Sequence, residues 1–201
     1  MDLKELGSLV LSWLVVSVLF SLYYLFNDPS FFPTYLVLAA ATAGAGFMLH
    51  ELSHRGFATR YGCKAGYQVW VWGLILSLVV GLATQGQFIF AALGAVYISP
   101  LAISTTVSQQ TFKRVYGIIS LAGPALNLAL AGFFFLLAFL FPNNEILYIL
   151  GVIGLRINLW LAAFNLIPVP PLDGSKVFAW SWPIWLLFAA PAWALTIFFY
   201  F

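Results

Sequence analysis

Apolar residues fall along the chain in blocks long enough to cross a membrane. Residues 9–26, 35–57, 124–141, 146–167 and 183–201 each approach the roughly 20 residues that a helix needs to span a hydrocarbon core about 30 Å thick. Backbone in lipid must satisfy its own hydrogen bonds, so runs of this length predict helices. Between the second and third blocks the pattern is less regular. Residues 67–99 hold two shorter apolar runs, 69–83 and 88–98, on either side of Thr84-Gln85-Gly86-Gln87. Two tilted spans, a re-entrant hairpin, or strands built from its β-branched residues all fit this stretch. The pattern predicts an all-α membrane protein: a polytopic helical bundle with about five to seven membrane segments and an irregular, re-entrant or β-containing stretch at 67–99. No linker or repeat marks a second domain, so residues 1–201 read as one transmembrane unit.

Composition supports this reading. Hydrophobic residues make up 63% of the chain and charged residues 7%, against roughly 25% charged in soluble domains. A net charge of +2 with scattered carriers argues against a nucleic-acid partner and leaves the lipid bilayer as the expected surroundings. The lone Cys63 excludes an internal disulfide and fits a reducing compartment. Block 9–26 is longer than a signal-peptide core and no small-x-small pattern follows it, which predicts a retained first span.

Charge also orients the bundle. Lys4, the cluster Arg55, Arg60 and Lys64, the pair Lys113-Arg114, and Lys176 can share one side, whereas loops 27–33 and 142–145 carry no Lys or Arg. The positive-inside rule makes the first side cytoplasmic. The expectation is a multi-pass protein of the cell membrane in which 67–99 returns to the side it left.

The two histidines of the chain occur in His50-Glu51-Leu52-Ser53-His54, at the end of a long apolar run. On a helix, positions i and i+4 lie on one face. Two imidazoles there can hold one Zn²⁺ per chain, with Glu51 placed to take a proton from water. Ionisable residues inside spans are rare and mark function. A third ligand is required. Asp28 and Glu145 fall on the outer side, Asp2 and Glu5 sit at a terminus expected to fray, and Cys63 follows a Gly-containing loop leading away. Asp173 remains, after three prolines that end a helix and keep the chain extended, and before Gly174, which permits a turn. Zn²⁺ with two neutral histidines, Asp173 and Glu51 sums formally to zero, which a low-dielectric site tolerates. The site is then expected near the cytoplasmic face.

With these residues in place, the chain resembles the site-2 protease family of intramembrane zinc metalloproteases, in a minimal form without PDZ or CBS domains. Three motifs match in the family's order: His50-Glu51-Leu52-Ser53-His54, Ala122-Gly123-Pro124-Ala125-Leu126-Asn127, and Asn165-Leu166-Ile167-Pro168 leading to Asp173-Gly174. The resemblance covers about residues 35–176, the expected catalytic core. It implies zinc held by His50, His54 and Asp173, and water activated by Glu51. It implies that Asn165 helps to hold substrate or stabilise the tetrahedral intermediate, and that Asn127, Gly123 and Pro124 line the substrate site. Ser53 stands where the family often has glycine, and Ser175-Lys176 where Gly-Arg is common. The implied activity is zinc-dependent endopeptidase cleavage within or next to transmembrane segments of other membrane proteins. A non-catalytic zinc-binding membrane protein and a different membrane metallopeptidase, such as a prenyl-protein protease, are the alternatives.

Other features read more plainly. Gly123-Pro124 also predicts a helix start with proline at N1. Arg156 falls on the face of its helix opposite Asn165, and Asn158 on the same face, where it would extend a polar lining. Trp70, Trp72, Trp182 and Trp185 read as core and interfacial anchors.

Overall fold

The computed structural model of the chain describes residues 2–99 and 108–200. In order they form α1 (Leu3–Asn27), α2 (Phe32–Arg60), β1 (Lys64–Val69), α3 (Val71–Ala83), β2 (Gly94–Ser99), α4 (Gln109–Leu140), α5 (Glu145–Asn165), α6 (Asp173–Trp180) and α7 (Trp182–Tyr200). Five of these, α1, α2, α4, α5 and α7, are long and apolar enough to cross a membrane. The protein is an all-α membrane bundle, with one small two-stranded sheet among the described residues.

Polar residues set several helix starts. Asp2 accepts the Glu5 N–H at 2.7 Å, Ser108 accepts that of Thr111 at 3.2 Å, and Asn144 accepts that of Leu147 at 3.1 Å. Each side chain satisfies a donor that the first turn leaves open. Ser108 also marks a departure from the sequence pattern. α4 begins at Gln109, so Gly123-Pro124 lies inside a 32-residue helix rather than at its start. The amphipathic turns before Ala122 continue the helix below the apolar block, and a length near 48 Å exceeds the hydrocarbon core. Pro124 has no N–H for the Ser120 carbonyl, which opens the ladder locally. One residue earlier, Ile119 O receives His54 Nδ1 at 2.7 Å, so the weakened turn supplies an acceptor to the site.

Residues 64–99 form a hairpin of mixed structure. β1 and β2 pair antiparallel with Lys64 opposite Ser99 and Val69 opposite Gly94. α3 rises from the end of β1 along α1, and Gly86 (φ 76°) at the apex lies against Leu22 and Tyr23 of α1. At the other end, Tyr67 N–H donates to Glu5 Oε1 at 3.1 Å. Seventeen helical residues of α1 separate these levels, about 26 Å. The hairpin therefore climbs most of the bundle's depth and returns to the level it left. The same Glu5 Oε1 lies 2.6 Å from Arg55 Nη1, so the terminus expected to fray is pinned to α2 and β1.

The main apolar core joins α1, α2, α5 and the hairpin around Val16, Leu19, Phe47, Leu93 and Ile157. α5 is the central helix, packed on α4 through Leu155, Leu159, Ala131 and Phe134 and on α7 through Ala162, Ala189 and Ala192. Arg156 is exposed on the outer face of α5, away from the histidines.

Candidate metal centre

His50 and His54 are one turn apart on α2 and both are buried. Their Nε2 atoms stand 3.0 Å apart. Asp173, the first residue of α6, brings Oδ2 to 3.3 Å from His50 Nε2 and 3.0 Å from His54 Nε2. Gly174 makes this approach possible: a β-carbon there would stand 2.3 Å from Leu166 O. Its role is close packing within α6, where the sequence suggested a turn.

The backs of the imidazoles decide their protonation. Asn127 donates its Nδ2 hydrogens to Gly46 O (3.1 Å) and Asn158 Oδ1 (2.9 Å), so its Oδ1 is the atom facing His50 Nδ1 at 2.6 Å. His50 Nδ1 must donate to it. His54 Nδ1 likewise donates to Ile119 O. A neutral imidazole carries one N–H, so both Nε2 lone pairs point at each other and at the Asp173 carboxylate. Burial alone would raise the Asp173 carboxyl. Where the imidazoles carry a proton at Nε2 in place of a metal, the His54 charge, hydrogen bonds from both rings and the charge of Lys176 outweigh it and hold the carboxyl well below the ordinary aspartate range.

Around this cluster lies a cavity of ≈ 340 Å³ lined by Glu51, Trp70, Leu161, Asn165, Lys176 and the β2 residues Gly94 to Tyr97, among others. Glu51 is buried, and its Oε2 is without a hydrogen-bond partner among the described residues. Asn165, which lines the cavity, donates to Leu161 O at 2.9 Å, and its second amide hydrogen and Oδ1 have no partner among the described residues. Lys176, one turn beyond Asp173, places Nζ 3.3 Å from Asp173 Oδ1. The carboxylate is thereby divided, one oxygen toward the histidines and the other toward a cation.

The chain is similar to two curated proteins. It is 38% identical over 178 residues to "Putative zinc metalloprotease MJ0611" of Methanocaldococcus jannaschii, covering 89% of this chain and 87% of that one. It is 31% identical over 166 residues to "Putative zinc metalloprotease YwhC" of Bacillus subtilis, covering 77% and 71% respectively. The chain belongs to this zinc metalloprotease family. No protein-family model matches it, and no solved structure does.

The donors of this zinc metalloprotease fit the ion. Tetrahedral Zn²⁺ with bonds of about 2.0–2.1 Å sets its ligand atoms about 3.3 Å apart. Here three lone-pair donors form a triangle with edges of 3.0, 3.0 and 3.3 Å. Without a cation or a proton among them they would repel. Glu51, whose Oε2 is without a hydrogen-bond partner among the described residues, lines the same cavity.

The remaining candidate residues sit elsewhere. Asn127 is fully buried and its amide is fully engaged with His50, Gly46 and Asn158. It stands behind the histidine rather than on the cavity wall. Asn158 is also fully buried, behind Asn127, and does not extend the polar lining toward Asn165. Gly123 presses on both imidazoles from α4, and Pro124 is buried beside it. Sequence reasoning used Lys176 to orient the bundle and gave it no place at the metal centre. Its i+3 spacing from Asp173 at the start of a helix was the available signal.

Proposed function

We propose that this zinc metalloprotease is an intramembrane endopeptidase of the site-2 protease kind, cutting peptide bonds within or beside transmembrane segments of other membrane proteins. The observation that carries the reading is the position of the cluster: its histidines and Glu51 belong to a helix of membrane length, packed between α4 and α5, which are also of membrane length. A site on a helix of membrane length is one that a laterally diffusing helix can reach. The positive-inside distribution supports a multi-pass arrangement in the cell membrane with the site toward the cytoplasm.

His50, His54 and Asp173 would hold one Zn²⁺, which when bound supplies Lewis-acid polarisation of water and of the scissile carbonyl. Glu51 Oε2 accepts the proton of the attacking water and returns it to the leaving amine nitrogen. The free Asn165 amide hydrogen donates to the carbonyl oxygen as negative charge develops there. A helical bond is shielded by its own turn, so substrate must arrive extended. In the antiparallel ladder, Tyr67 and Val96 face each other without exchanging bonds, because the Tyr67 N–H points away to Glu5. By alternation, the backbone groups of Gly94 and Val96 point away from β1, on the strand that lines the cavity. This edge is the seat proposed for an added substrate strand.

The test is reconstitution of the purified protein in lipid vesicles with a single-span substrate, followed by mass mapping of the cut. Products ending within the span, absent with Glu51→Gln, support the reading. Cuts confined to soluble loops, or to a tripeptide after a prenylated cysteine, would replace it with another metallopeptidase activity. Zinc binding without turnover would favour the non-catalytic alternative.

A further inference from the structure

A chain of buried amides runs from α5 to the metal donors. Asn158 Nδ2 donates to Gly154 O at 2.9 Å within α5, which turns its Oδ1 toward α4. That oxygen accepts from Asn127 Nδ2 at 2.9 Å, and Asn127 Oδ1 accepts from His50 Nδ1 at 2.6 Å. Both asparagines are 0% exposed and His50 is 4% exposed, so bulk water does not reach any link. The helices come close enough only because residue 46 is glycine: a β-carbon there would stand 2.5 Å from Asn158 Oδ1.

We infer that Asn158 is a positioning residue of the metal centre, acting through Asn127 to fix the tautomer and aim of His50. The reasoning is one of orientation. An amide presents oxygen or nitrogen to His50 according to what lies on its other side. Gly46 O and Asn158 Oδ1 are two acceptors on that other side, and together they require nitrogen there and oxygen toward the imidazole. Asn127 reversed would place N–H against His50 Nδ1, move the ring proton to Nε2, and block a metal lone pair. Hydrogen bonds behind a ligating histidine set its tautomer and ring angle, and their loss typically weakens metal affinity about 10–100-fold. Asn158 lies one link further out, and its removal leaves Gly46 O as the sole lock.

The inference rests on the zinc reading of the site and is tested by affinity rather than proteolysis. Co²⁺ and Zn²⁺ dissociation constants, with the Co²⁺ visible spectrum, would be measured in detergent for the wild type and four variants: Asn158→Leu, Asn158→Asp, Asn127→Leu and the double leucine variant. Asn158→Leu is expected to weaken binding about tenfold and alter the spectrum. Asn158→Asp, neutral when buried, keeps both an acceptor and a donor and is expected to restore affinity to within about threefold. Because Asn158 acts through Asn127, the double variant should bind no more weakly than Asn127→Leu alone. Wild-type affinity in Asn158→Leu, no rescue by Asp, or losses that multiply in the double variant would each overturn the inference. A wild type that binds no metal overturns the zinc site and this inference together. Tight, Asn158-dependent binding without proteolysis overturns only the protease reading.

Discussion

Gly123 of α4 is seated against His54 of α2: a β-carbon at 123 would stand 2.5 Å from His54 Nε2, and 2.6 Å from His50 Nε2. Neither ring can withdraw, because each is held from behind by a hydrogen bond through Nδ1. Gly123→Ala is therefore expected to split the donor triangle and lower zinc content from about one per chain to a small fraction, read by elemental analysis. Gly132, on the same helix, has no heavy atom near its would-be β-carbon. Gly132→Ala should keep full zinc and similar stability.

Glu51 and Asp173 should separate chemistry from metal binding. Glu51→Gln keeps the volume but cannot accept a proton. It is expected to retain zinc while cleavage falls about 10²–10⁴-fold, the usual range for a lost general base. Asp173→Ala removes one of three donors and should lose zinc itself. Full zinc in Asp173→Ala would remove that residue from the ligand set.

Lys176 offers a pH test. The Asp173 carboxyl is held below its ordinary range, with Lys176 among the causes. A depressed carboxylate contributes stability above its unfolded pKa of about 3.9, and loses it as pH falls through the folded value. Lys176→Met lessens the depression, so the zinc-free variant should be less stable than the wild type near neutral pH, and the gap should narrow as acid protonates the carboxyl. Thermal unfolding between pH 6 and pH 3 in the presence of chelator measures this. An unchanged acid profile would show that the 3.3 Å contact does not couple the two groups.

Glu5 ties three elements through one oxygen, which takes both Arg55 Nη1 and the Tyr67 N–H. Glu5→Ala leaves that backbone donor without its acceptor, at a cost of about 1–3 kcal/mol. The expected outcome is a lower unfolding temperature and faster hydrogen exchange at the Tyr67 amide, with zinc content unchanged.

Much of this architecture is legible along the chain, because lipid imposes a simple demand. A membrane helix must be apolar for about 20 residues, and five blocks announce that demand without reference to any neighbour. The pairing of His50 with His54 is equally local, since one turn of one helix creates it. The blocks mark the apolar part of each helix, not its ends. α4 therefore starts at Gln109, through a proline that in sequence reads as a beginning.

Contacts between separate elements were decided only by packing. Asp173 could be reached from sequence by eliminating other donors, but its 3.0 Å approach to His54 depends on α6 folding back across a glycine against Leu166. Asn127 reads as a polar residue at a site and stands behind it, because α2, α4 and α5 meet at Gly46 and bury the amide. Residues 67–99 allowed crossings, a re-entrant loop or strands. The mixture was settled by α1, whose Glu5 and Tyr23 meet the two ends of the hairpin. Periodicity and hydropathy act within a segment and survive in the sequence. Which oxygen faces which imidazole is a through-space relation, and it exists only once the helices are packed.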